Sequence, residues 1–333
     1  MLHAIRTSFR LITIATVLLF PPLLSPPTAS AKAAGAKIVI LTVSQECEYC
    51  AIHQRSFLEA AKAAGLNVDA KINNFDPATQ ATQVDQVIAQ KPDAIVLWPA
   101  DASAIVPSLR KIKKAGIPLV LSNSMPDKKY SEYWDVYTGP NDTSNGEQAA
   151  KAMIRGFSEK GLGAQGKVFV IEGVPGTPPQ IQRLEGFKRT LEEKAPGIEI
   201  VGVQPGNWDQ TKAAAAAAAL FTQHPDVKGV YAQADNMLAG VIVAAQRAGL
   251  DPSKLVLVGS NCSTEGVHAI SSGTQYATVL QSPVDDGRYA AEAVTDLLDG
   301  KKVDPVRYLP NPVVTKENLP VSEFAAECLG HPR

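Results

Sequence analysis

The chain reads Gln-Glu-Cys-Glu-Tyr-Cys-Ala-Ile-His-Gln from Gln45 to Gln54, directly after the apolar run Ile38–Val43. Two cysteines separated by two residues, with a histidine three further on, suit three chemistries. At a helix N-terminus, Cys47 and Cys50 would have the lowered thiol pKa that thiol–disulfide exchange uses. With His53 they supply three zinc-ligand types, and a structural site would need a fourth. As a disulfide they would staple a loop. Haem attachment would require histidine directly after the second cysteine, where Ala51 stands.

The compartment bears on that choice. Arg6 and Arg10 precede an apolar run from Leu11 to Leu24, interrupted by Pro21-Pro22, and Ala29-Ser30-Ala31 has the small-residue spacing of a cleavage site. Residues 1–31 therefore read as a signal peptide cleaved near Ala31, and the run falls short of the roughly 20 apolar residues a spanning helix needs. With Arg6 and Arg10 gone and no acid lost, the formal charge moves from −1 to −3, which gives no support for nucleic-acid binding. An exported chain permits disulfides, and its four cysteines, Cys47, Cys50, Cys262 and Cys328, allow three pairings.

The surrounding elements must position these groups. From Ile38 onward, short apolar strands alternate with amphipathic helices. Strands are expected at Ile38–Val43, Leu66–Ala70, Ala94–Leu97 and Pro118–Leu121, with helices at Ser56–Ala64, from Pro77 behind a capping Asp76, and at Ile105–Ala115. The pattern restarts at Lys167–Ile171. Helices follow at Pro179–Lys194, Asp209–Thr222, Met237–Arg247 and Glu265–Ile270, and strands at Ile198–Val203, Gly229–Ala232, Leu255–Val258 and Tyr276–Leu280. The alanines Ala213–Ala219 read as helix with a small packing face. Two successive α/β units with parallel sheets are the expectation for 333 residues. Neither Gly-x-Gly-x-x-Gly after a strand nor Gly-x-x-x-x-Gly-Lys-Ser/Thr occurs, so no phosphate-cradling loop supports a nucleotide enzyme.

Ligands of open parallel sheets sit beyond the carboxyl ends of the strands. There the chain carries Gln45–Cys50, Trp98–Asp101, Ser122–Ser124, Gly173–Gly176, Gln233–Asp235, Ser260–Cys262 and Gln281. This collection of aromatics, amides and hydroxyls assembles no catalytic set. Glu265 and Asp285-Asp286 read as helix starts with solvated or capping roles, and His53 as a helix-face residue.

The order of segments resembles the periplasmic sugar-binding proteins of ABC transporters, the ribose-binding-like type I cluster. The resemblance runs from about Lys37 to Lys302. It rests on Ala64–Val68, Ile95–Asp101, Ala115–Val120, Gly139–Gly146, Arg183–Phe187, His224–Val227 with Tyr231–Asp235, Val258–Asn261 and Gln281–Pro283. It implies a Venus flytrap: two Rossmann-like lobes joined by three crossings near Gly139, Ser282 and Leu309. Residues 36–139 with 283–308 would form the N-terminal lobe, and 140–282 with 309–333 the C-terminal lobe and tail. It also implies a monomer with no catalysis and no cofactor or metal, which captures a small polar solute, a sugar or polyol, and delivers it to a permease. A sensor for a chemoreceptor or histidine kinase shares that architecture, and a Cys-x-x-Cys thiol oxidoreductase is the enzymatic alternative.

Carried over position by position, the resemblance implies cleft contacts at Tyr49, Trp98, Asn123, Arg183, Trp208, Asn261 and Gln281. Asp235 either bonds a ligand hydroxyl or caps the following helix, and a surface salt bridge to Glu185 or Glu192 is the competing role for Arg183. Pentose binders of the family usually carry an aspartate where this chain has Asn123, an arginine at Ser124, and an aromatic–aspartate pair at Ser260-Asn261. Such a pocket is expected to be less acidic, with Arg183 less neutralised and room for an acid, a phosphate, a polyol or a modified sugar. Cys47–Cys50 is expected to rigidify the loop holding Tyr49. A tail from Lys316 to Arg333 is expected to pack back and tie Cys328 to Cys262.

Overall fold

The structure, a computed structural model of the chain, describes residues 33–319. The expected leader and Cys328 lie outside the described residues, so the Cys262–Cys328 pairing stays a proposal. The strands are β1 (Lys37–Thr42), β2 (Asn67–Ile72), β3 (Ala94–Leu97), β4 (Leu119–Ser122), β5 (Val136–Gly139), β6 (Gly166–Glu172), β7 (Ile198–Pro205), β8 (Gly229–Ala232), β9 (Val256–Asn261), β10 (Ala277–Leu280), β11 (Val306–Tyr308) and β12 (Val313–Thr315). The helices are α1 (Glu48–Ala63), α2 (Pro77–Gln90), α3 (Val106–Ala115), α4 (Asp142–Glu159), α5 (Pro178–Lys194), α6 (Gln210–Gln223), α7 (Asp235–Arg247), α8 (Thr264–Ser272) and α9 (Pro283–Leu298).

Two six-stranded sheets form, in the orders β11-β5-β4-β3-β1-β2 and β12-β10-β9-β8-β6-β7. Among the described residues every strand pairing is parallel except β10 with β12. The central strands are apolar on both faces, as helix-covered parallel sheets require. Ile38, Val96 and Val120 pack with Phe57 and the α9 alanines on one face of the first sheet, while Leu41, Ile95 and Leu121 pack with Leu109 and Ile112 on the other. The second sheet is sandwiched in the same way by α4 and α5 on one side and α6 and α7 on the other. The chain passes between the sheets at 140–141, 281–282 and 309–312.

Local chemistry accounts for several boundaries. Asp76 caps α2 by accepting from the Ala78 N–H at 2.9 Å, with Pro77 in the first turn. Gly116 ends α3 in the left-handed conformation. The alanine run lies within α6, where Ala213 and Ala217 are buried. One boundary differs from expectation. Helix α1 begins at Glu48, not Ser56, so Tyr49 and Cys50 occupy its first turn and Cys47 is its N-cap. The polar Glu-Tyr-Cys-Ala-Ile-His stretch masks the start, because helical periodicity in apolar residues becomes visible only at Phe57. Also absent from the expected pattern are β5, α4, β11 and β12, of which the two last are three-residue strands.

Candidate functional site

The carboxyl ends of both sheets face a common cleft of about 190 Å³, room for on the order of a dozen waters and therefore for a small solute. Tyr49, Trp98 and Asn123 line it from the first lobe, Arg183, Trp208 and Asn261 from the second, and Gln281 from a crossing. The expected residues other than Asp235 thus converge. Phe75, just beyond β2, also lines the cleft and was missed, although its place between a strand end and the Asp76 cap marks a strand-end loop. The lobes meet directly at the rim. Ala102 N–H donates to the Gly176 carbonyl at 3.0 Å, and Gln182 Nε2 to the Met125 carbonyl at 2.7 Å.

The aromatic wall is built in layers. Trp98 is nearly buried and packs edge-on against Tyr49 and His53, with ring centroids 6.2 and 4.8 Å apart. His53 lies on α1, on a face that is fully buried. Its Nε2 lies 2.7 Å from Ser122 Oγ, and burial lowers its pKa to about 3, so the ring is neutral. Cys47 and Cys50 are joined in a disulfide across the first turn of α1 and border the cleft. What the bond fixes is thus a helix N-terminus carrying Tyr49, and not a loop.

Arg183 is 3 % exposed and is not a surface residue paired with Glu185 or Glu192. Its Nε donates to Asp142 Oδ1 at 2.8 Å and its Nη1 to the Gln233 carbonyl at 2.7 Å, while Nη2 donates to Gln281 Oε1. One N–H on each terminal nitrogen is left for the cleft. The guanidinium also lies 5.8 Å from the Trp208 ring centroid, within cation–π range. Helices α4 and α5 approach closely enough that a Cβ on Gly146 would lie 2.0 Å from the Arg183 carbonyl oxygen, and one on Gly186 would lie 2.1 Å from that of Thr143. Glycine at both positions lets Asp142, at the head of α4, reach Arg183. Burial raises the Asp142 carboxyl against the downward pull of Arg183. The expectation of a less neutralised Arg183 is therefore corrected: α4, an element that sequence periodicity did not reveal, supplies the carboxylate.

Asp235 does not line the cleft. It is 1 % exposed and accepts from Gln275 Nε2 at 2.8 Å, Thr278 Oγ1 at 2.8 Å and Ser263 N–H at 3.1 Å, tying β10 and the β9–α8 turn to the head of α7. Asp286 departs from expectation in the other direction. Expected at a helix start in a solvated or capping role, it is fully buried, and its Oδ2 accepts from Tyr49 Oη at 2.9 Å and Asn123 Nδ2 at 2.6 Å.

Backbone conformation singles out the same region. Among the described residues eight non-glycines have positive φ, and of these Phe75, Asn123, Trp208, Asn261 and Cys262 line the cleft. Phe75 at +61° and Trp208 at +59° are bulky side chains in the left-handed region, costing roughly 1–3 kcal/mol each. Such strain persists only where the surrounding structure over-determines the conformation, and it clusters at ligand sites.

A family model described as periplasmic binding protein domain matches residues 38–302. The chain belongs to that family. Among similar periplasmic binding proteins is the ribose import binding protein of Bacillus subtilis, 30% identical over 243 residues, which are 73% of this chain and 75% of that protein. The xylitol-binding protein of Mycolicibacterium smegmatis is 30% identical over 283 residues, 80% of this chain and 76% of that one. A solute binding protein from Actinobacillus succinogenes, solved with bound D-allose, superposes with a TM-score of 0.74 at 27% identity, covering 85% of this chain and 98% of that chain. The family accounts for both sheets and for the cleft between them. Among the described residues no helix is long and apolar enough to cross a membrane.

Proposed function

We propose that the protein captures a small polar solute, a sugar or polyol, in the interlobe cleft and delivers it to the permease of an ABC importer. It acts as a monomer in the periplasm after its leader is cleaved near Ala31. The supporting observation is the convergence of Tyr49, Trp98, Phe75 and Trp208 with Asn123, Arg183, Asn261 and Gln281 on one small cavity. Aromatic faces take the C–H face of a sugar ring, while amides and the guanidinium take its hydroxyls. The relatives that bind ribose and xylitol support the same solute class.

A thermal-shift screen of the mature protein against pentoses, hexoses, polyols and inositols tests this. A ligand at about 100 times its Kd adds roughly 2.7 kcal/mol of apparent stability. The expected result is a shift confined to a few stereochemically related members, with a companion sedimentation run showing a monomer. Absence of a shift with every class would remove the reading.

A further inference from the structure

We infer that Asp286, one layer behind the cleft wall, is a positioning residue that turns Tyr49 and Asn123 into hydrogen-bond acceptors and thereby selects a neutral polyhydroxylated ligand over an anionic one. The inference rests on the sugar or polyol reading of the cleft.

The geometry starts from helix packing. A Cβ on Gly287 would lie 2.2 Å from the His53 carbonyl oxygen, so α9 touches α1 backbone to backbone and brings Asp286 under the first turn of α1. Asp286 Oδ2 receives both Tyr49 Oη and Asn123 Nδ2, while Oδ1 is buried without a partner. A carboxylate only accepts, so it dictates which way its partners point. The Tyr49 proton is spent on Asp286, so Oη turns to the cleft as an acceptor, the role it already has toward the Gln281 side chain. The Asn123 NH₂ is turned inward, and its Oδ1 is met only by Ser124 Oγ at a long 3.3 Å. The first lobe therefore shows the cleft two acceptors, and Arg183 in the second lobe shows it donors. A hydroxyl donates to one wall and accepts from the other. A ligand carboxylate or phosphate would meet lone pairs, with Asp286 and Asp142 behind them.

The groups facing Asp286 leave it as the one that changes charge near neutrality. Tyr49 from α1 and Tyr137 from β5 are pushed well above their usual range by burial, and His53 from α1 is held neutral. Asp142 at the head of α4 is paired with Arg183 of α5, and on α9 itself Asp285 is paired with Arg288. Burial pushes Asp286 up to about 7, opposed by its bonds from Asn123 and Tyr49 and reinforced by Asp142 and Asp285. Hydroxyls donated to Tyr49 and Asn123 are strengthened by the carboxylate form, so binding favours that form and expels a proton.

Calorimetric titration of the full mature chain and of Asp286→Asn with ribose, xylitol, myo-inositol and ribonate provides the test, in two buffers of different ionisation heat. For wild type, a neutral probe should bind at about pH 8 with proton release and about tenfold more weakly at about pH 5.5. Asp286→Asn should bind about tenfold more weakly at the higher pH and show a flat profile, because charge-assisted bonds become neutral ones. Ribonate should neither bind nor compete. Neutral binding that is pH-independent, or accompanied by proton uptake, overturns the role of Asp286 and leaves the sugar reading intact. Ribonate binding more tightly than ribose overturns the selectivity. Failure of every neutral probe at both pH values overturns the underlying reading as well. Should Asp286→Asn not fold, the wild-type profile and its proton count decide alone.

Discussion

Each lobe buries an aspartate behind its cleft wall, and the two are wired in opposite senses. Asp235 in the second lobe takes its side-chain donors from Gln275 and Thr278, neither of which borders the cleft, and is met from the cleft-lining residues Ser263 and Cys262 through backbone N–H groups alone. Asp286 in the first lobe takes both of its donors from side chains that face the ligand space. Burial raises both carboxyls to about 7. A perturbed, buried acid is thus no marker of function by itself. What separates the two is whether the donors they hold are also exposed to a ligand.

Four experiments bear on that contrast. The largest effect should come from the third buried carboxylate, Asp142, which is held by charge. Arg183→Met leaves it unpaired and should cost roughly 3–5 kcal/mol in denaturant unfolding, with loss of any ligand-induced thermal shift. An unchanged affinity would take Arg183 out of the site. Next, Asp235→Ala strands interior donors and should cost about 3 kcal/mol, with ligand affinity kept within about twofold by the same bookkeeping. A collapse in affinity would erase the distinction between the two aspartates. Replacing Cys47 and Cys50 together by serine removes a crosslink over a very short loop. The chain-entropy argument gives about 2 kcal/mol or less, and the loss of affinity should exceed that of a disulfide remote from the cleft, since the bond sets the helix turn carrying Tyr49.

The fourth experiment reads the pH dependence of stability. Between the ordinary carboxyl value of 3.8 and about 7, folded Asp235 retains a proton that the unfolded chain releases. Its contribution to stability therefore grows as pH falls through 7 and is complete near 3.8. His53 acts in the opposite sense, since a ring held neutral down to about 3 loses stabilisation as pH falls below 6.5. The melting temperature of wild type relative to Asp235→Asn should accordingly rise on going from about pH 8 to about pH 5. A constant difference would mean that Asp235 does not titrate in that interval.

Much of this was legible in the sequence because it is local. Strand-end residues such as Trp98, Asn123, Asn261 and Gln281 announce themselves by following apolar runs, and strand ends are where an open sheet presents its loops. The partners behind them were not legible. Asp142 meets Arg183 across 41 positions, Asn123 meets Asp286 across 163, and Tyr49 meets Asp286 across 237. No local pattern distinguishes those acids from solvated helix-start carboxylates such as Asp285. The start of α1 was hidden for a related reason: Tyr49, Cys50 and His53 are buried or half-buried by contacts with distant elements, so their burial does not show as helical spacing of apolar types. The Asn123 and Asn261 departures pointed toward a less acidic pocket, whereas acidity reappears one layer deeper from a different helix.

The discontinuity of the first lobe also orders events in time. Its core combines Ile38 and Phe57 with Ala290, Ala291, Ala293 and Val294, and its sheet is completed by β11 at Val306–Tyr308. As the chain emerges residue by residue, this lobe waits for its last helix and strand. By then β6 through β10 and the helices between them are already in hand. The half that begins first closes only when all of the other except β12 has emerged, and the carboxylate that orients Tyr49 and Asn123 arrives with that late closure.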